Sequence, residues 1–126
     1  MKAAYVDTSY LVSVVFGERS AAVSAKRLAG FDELLAANFL EAELGAALRR
    51  EKRDGVPEVM RSIAWVIPDR PLSAEIGLVL STGYLRGADL WHLATALFVA
   101  QDPATVTFLT LDERQGAVAA KLGFRT

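Results

Sequence analysis

Cysteine is absent from the 126 residues, so the chain can form neither a disulfide nor a thiolate metal site, and a reducing compartment suits it. With a single histidine, His92, it cannot assemble the several imidazoles of the usual catalytic zinc. Any bound metal must therefore find mainly oxygen ligands. Neither sign of charge is in excess: 14 basic and 15 acidic side chains give a formal net charge of -1, so contact with nucleic acid has to be local. Long apolar runs are missing too. Ala3 to Val6 is too short for the core of a signal peptide, and Leu93 to Ala100 falls far below the roughly 20 residues of a membrane span. We expect a cytoplasmic protein with no membrane association.

What is present is mostly apolar. Hydrophobic types make up 52% of the chain, which excludes general disorder. The length suits one domain, residues 1–126, able to bury a core without staples. There is no internal repeat, low-complexity segment or linker.

The chain alternates between strand-like and helix-like stretches. Ala3 to Val6 reads as a buried strand that stops at Asp7-Thr8-Ser9, and Leu11, Val12, Val15 and Phe16 form a short helical stripe ending at Gly17. A second helix is predicted from Arg19 to Ala29, then a strand from Leu34 to Ala37. The next helix is predicted from Asn38 to about Arg53, with Asn38 as cap and Glu41 as its capping-box partner. Pro57 opens a further helix, Ala64 to Ile67 reads as a strand, and Ser73 caps a helix that Gly83 ends. Asp89 starts a helix that is apolar nearly all round. Val106 to Thr110 is the clearest strand, Asp112 with Gln115 opens a helix through Leu122, and Phe124 begins a last short strand. This order predicts an α/β fold: one three-layer α/β/α domain around a short, mainly parallel sheet.

Each acidic residue has an ordinary explanation and a chemical one. Asp7, Asp89 and Asp112 suit helix N-caps. Strand ends in a doubly wound sheet also open on one edge, where the three would converge. Glu43 shares its helical face with Phe39, Leu40, Ala46 and Ala47 and has no basic residue three or four positions away. It either faces inward and needs a cation or donors, or the helix is rotated so that it reaches the rim. His92 reads as a buried histidine satisfied by a neighbour. Crowded carboxylates repel unless a cation neutralises them, and an all-oxygen pocket suits Mg²⁺ or Mn²⁺. Such an ion favours a hydroxide nucleophile and stabilises phosphoryl charge, so phosphodiester hydrolysis is the natural reaction.

Val6-Asp7-Thr8-Ser9, Glu43 in Glu41-Ala42-Glu43-Leu44, Ala88-Asp89 with His92-Leu93-Ala94, and Thr110-Leu111-Asp112-Glu113-Arg114, taken in order, resemble the PIN domain, in particular the VapC toxins of toxin-antitoxin pairs. The resemblance covers essentially the whole chain. It implies a Mg²⁺- or Mn²⁺-dependent endoribonuclease that cuts tRNA or rRNA, is silenced by a small VapB-like antitoxin and forms homodimers. By it, Asp7, Asp89 and Asp112 would bind metal, Glu43 would complete the catalytic set and position water, and the hydroxyls of Thr8, Ser9 and Thr110 would support them. Two residues depart from the usual pattern: Asn38, where a Ser or Thr is commoner, and the bulky Trp91. Arg49, Arg50, Lys52, Arg53, Arg86 and Arg114 are candidate contacts to RNA phosphates, or simply solvated charges. Single-stranded or looped RNA would be the substrate. An antitoxin would need an apolar groove, expected near Leu28 and Phe31. The competing reading is a non-enzymatic α/β signalling or interaction module, with Asp7 as phosphoacceptor or with an inert metal site.

Overall fold

The computed structural model describes residues 2–126. Its centre is a four-stranded sheet of β1 (Ala3–Val6), β2 (Glu33–Ala37), β3 (Ile63–Val66) and β4 (Val106–Leu109), in the order β3-β2-β1-β4. Every pairing is parallel: Tyr5 stands opposite Leu35 and Phe108, and Val6 opposite Leu109. Parallel neighbours need crossovers, and the helices that supply them cover both faces.

The period-2 alternation of the strands divides the core. Tyr5, Leu35, Val106 and Phe108 point to one face, where Val79, Leu93, Ala96 and Val118 pack on them. These come from α5 (Ser73–Thr82), α6 (Gly87–Val99) and α7 (Glu113–Lys121). Ala4, Val6, Leu34 and Leu109 point to the other face and meet Leu11, Leu28, Leu40 and Leu44. That layer is built from α1 (Thr8–Val15), α2 (Ala21–Ala29), α3 (Asn38–Arg50) and the short α4 (Glu58–Arg61). The Tyr5 ring stacks on Phe108, and its hydroxyl oxygen accepts from the Ala37 amide, so the one polar atom of a fully buried side chain is satisfied.

The three-layer expectation holds, with several local corrections. Ser20 adopts a left-handed φ of 72°, so α2 begins at Ala21 rather than Arg19. Asn38 and Ser73 lie inside their helices and cap nothing; Asn38 instead donates from its side-chain amide to Glu41, which therefore makes no capping box. Helix α3 stops at Arg50. Lys52 takes a φ of 55°, and the Arg53 and Lys52 amides donate to the carbonyls of Leu48 and Arg49, a left-handed closure that glycine usually serves. Asp89 is the third residue of α6, past its start at Gly87. The last strand reduces to a single parallel bridge between Thr107 and Arg125. Among the described residues no helix is long and apolar enough to cross a membrane.

Candidate active site

β1 lies between β2 and β4, so the chain leaves it toward one side of the sheet and returns on the other, which opens a crevice at the carboxyl ends of β1 and β4. The pairing of Val6 with Leu109 brings out Asp7 and Thr110 side by side, with the Asp7 amide donating to the Leu109 carbonyl at 3.1 Å. Asp7 caps α1 by accepting from the Tyr10 amide at 3.1 Å. Its Oδ1 also accepts from Ser9 at 2.8 Å, and its Oδ2 lies 2.9 Å from the Thr110 hydroxyl. The side chain is 2% exposed. Burial pushes its carboxyl up from the ordinary range, against the opposing pull of Ser9, the Tyr10 amide and Thr110.

Asp112 caps α7 by accepting from the Gln115 amide at 2.8 Å. Asp89, half-buried in the first turn of α6, caps nothing, so the cap that its position suggested does not account for it. Its carboxyl is pushed up first by burial and then by the charge of Asp112, with Glu43 adding to the effect and His92 opposing it. Asp89 and Asp112 line one crevice of about 200 Å³ together with Tyr84, Arg86 and Arg114. Glu43 is half-buried; Thr8 donates to its Oε1 at 2.6 Å, and Nε2 of His92 lies 2.9 Å from the same atom. Glu43 thus lies between its two readings, at the rim beside exposed Phe39 rather than on the buried Leu40-Leu44-Leu48 face, yet with donors that come from α1 and α6.

The hydroxyls of Ser9 and Thr110 share one network around Asp7, while that of Thr8 stands apart on Glu43 and His92. Thr110 Oγ1 lies 2.8 Å from Gln115 Oε1, besides its contact with Asp7, and accepts from the Asp112 amide at 3.0 Å. Its single hydrogen can serve either Asp7 or Gln115 at one time. The Gln115 side-chain amide donates to the Asp89 carbonyl oxygen at 3.1 Å. Gln115 was expected to reach back as a capping-box partner; instead it is fully buried and ties α7 to α6. The signal for this was available, because Gln115 shares a helical stripe with Val118, Ala119 and Leu122, where a polar group needs partners.

The six basic candidates separate. Arg86 and Arg114 flank the two aspartates. Arg49, Lys52 and Arg53 line a different groove, with Leu48, Val56 and Met60, that none of the four candidate carboxylates enters. Arg50 pairs with Glu51, and the Arg53 guanidinium lies over the Phe16 ring. The reason is geometric: Arg49 and the basic residues after it stand six or more positions beyond Glu43, so at ~1.5 Å per residue α3 carries them roughly 9 Å or more away from it.

Among the described residues, no three acidic or imidazole side chains are gathered closely enough to hold one ion between them. The donor chemistry nonetheless fits a hard divalent cation. Mg²⁺ commonly takes one or two carboxylates and keeps its waters, and here two carboxylates repel each other across one crevice. No curated protein and no solved structure matches the chain. The family description that does match is that of the PIN domain, over residues 4–121. PIN domains are generally metal-dependent nucleases acting on RNA or DNA. With that match spanning nearly the whole length and the carboxylates standing at the carboxyl edge of a parallel sheet, the chain belongs to the PIN domain family.

Proposed function

We propose that the chain is a Mg²⁺- or Mn²⁺-dependent endoribonuclease, the toxin half of a toxin-antitoxin pair, acting in the cytoplasm on tRNA or rRNA as a homodimer. The observation that carries the nuclease reading is the pairing of Asp89 and Asp112 in one crevice, flanked by two arginines and joined to buried Asp7 through Thr110 and Gln115. The toxin role, the antitoxin and the dimer rest on the resemblance to VapC toxins.

Asp89 and Asp112 would hold the cation, with Asp7 behind them. When bound, the cation supplies charge that favours a hydroxide nucleophile and offsets charge on the phosphoryl oxygens. Glu43 accepts hydrogen bonds at Oε1, so its Oε2 is the oxygen that orients an attacking water and takes its proton. Arg86 and Arg114 meet the phosphates on either side, and Tyr84, 65% exposed in the same crevice, offers a ring on which an unpaired base can stack. The phosphoacceptor reading is disfavoured by Asp7 itself, which is nearly inaccessible and has both oxygens engaged.

The test is cleavage of a mixed tRNA and rRNA substrate by purified protein in Mg²⁺ or Mn²⁺, with EDTA and with Asp112→Asn as controls. We expect cleavage that EDTA stops and that the substitution lowers on the order of 100-fold or more. Equal cleavage by wild type and Asp112→Asn, or none in either metal, would end the proposal.

A further inference from the structure

Two donors meet at one oxygen of Glu43. The Thr8 hydroxyl and Nε2 of His92 lie 2.6 Å and 2.9 Å from Oε1, and they are 3.0 Å from each other. A carboxylate only accepts, so the imidazole hydrogen on this side sits on Nε2. The other ring nitrogen, Nδ1, is buried and has no partner among the described residues. His92 is 1% exposed, beneath the tilted ring of Phe39, and its neighbours Leu93, Ala94 and Ala96 on α6 are fully buried. An apolar side chain would fill this place without orphaning a nitrogen, so packing alone does not explain an imidazole here.

We infer that His92, together with Thr8, is a positioning residue: it saturates Oε1 of Glu43, fixes the plane of that carboxylate and leaves Oε2 as the oxygen available to a water. The contact joins α3 to α6, so it also sets the distance of Glu43 from Asp89, three residues before His92 on the same helix. The catalytic consequence rests on the nuclease reading, whereas the hydrogen bond does not.

His92 is the chain's only histidine, so ¹⁵N labelling yields one pair of imidazole resonances without ambiguity. At mildly alkaline pH the hydrogen should be found on Nε2, and Glu43→Ala should move that resonance. In RNA cleavage, His92→Leu should lower kcat by about 10- to 100-fold with KM little changed, whereas His92→Gln, which keeps a side-chain N–H, should recover most of the loss. A hydrogen on Nδ1, an Nε2 resonance indifferent to Glu43→Ala, or a His92→Leu defect confined to KM would overturn the inference. Should His92→Leu fail to fold, the spectra of the wild type and Glu43→Ala still decide. A wild type that cleaves no RNA would sink the nuclease reading and leave those spectra to judge the hydrogen bond.

Discussion

Thr110 stands between Asp7 and Gln115, 2.9 Å from the carboxylate of one and 2.8 Å from the amide oxygen of the other, with one hydrogen to offer. Through it the end of β4 is tied to both β1 and α7, and through Gln115 to the first turn of α6. Thr110→Val should therefore cost about 1–3 kcal/mol, because the Asp112 amide loses its acceptor and Asp7 and Gln115 lose the one hydrogen they share. Thr110→Ser should retain most of that stability. Urea denaturation of the three proteins measures both differences, and equal midpoints for Val and Ser would show that the hydroxyl contributes nothing.

Gly83, which ends α5, faces α7. A Cβ built there would lie 2.7 Å from Cγ2 of Val118, a side chain that is stiff at χ1. Gly83→Ala should destabilise the fold by about 1–3 kcal/mol. Adding Val118→Ala should recover part of the loss, so the double variant costs less than its two parts combined. The clash would also spread the walls of the Asp89–Asp112 crevice, since Tyr84 and Arg86 follow directly. Additive denaturation free energies would show that the two sites do not touch.

Local chemistry carried much of this fold. Val106 to Thr110 announces a strand because β-branched and aromatic residues fit a pleated surface, and Glu43 signals that it needs a partner from elsewhere because no cation lies within a turn of it. Nothing near Glu43, however, says that the donors come from Thr8 and His92, 35 and 49 residues away, since that is decided by the packing of α1 and α6. Asp89 was misplaced as a cap because the backbone turn lies earlier, at Gly87 with its φ of 57°. The basic run at the end of α3 could be read either as charge suited to the helix C-terminus or as phosphate contacts, because sequence order hides which end of a helix faces the crevice.

Asp7 makes folding depend on pH in the metal-free protein. Its folded carboxyl is raised above the ordinary 3.8, so between that value and the raised one the native chain binds the proton more tightly than the unfolded chain. Stability is thus gained as pH falls through this window and lost as pH rises through the folded value. In EDTA, Asp7→Asn should melt a few degrees above wild type at neutral pH, and the gap should close toward the ordinary carboxylate range. The same substitution should abolish cleavage, which separates function from stability. Thermal melts across pH in EDTA measure it; a wild type more stable than Asp7→Asn at neutral pH would mean that the burial cost is fully met by Ser9, Tyr10 and Thr110.

The division of the basic residues predicts how salt affects RNA binding. Arg86 and Arg114 share the crevice with the aspartates, whereas Arg49, Lys52 and Arg53 lie in another groove at the far end of α3. Each phosphate contact removed from a single strand lowers the slope of log affinity against log salt by about 0.7. Arg86→Ala and Arg114→Ala should each show that loss, and Tyr84→Ala should weaken binding with the slope unchanged, because a stacked ring releases no counterions. Lys52→Ala and Arg53→Ala should leave both quantities as they are. Fluorescence anisotropy on catalytically silent Asp112→Asn, titrated at several salt concentrations, reads all five. A slope that responds to Lys52 or Arg53 and ignores Arg86 would move the RNA path onto the α3 groove and away from the carboxylates.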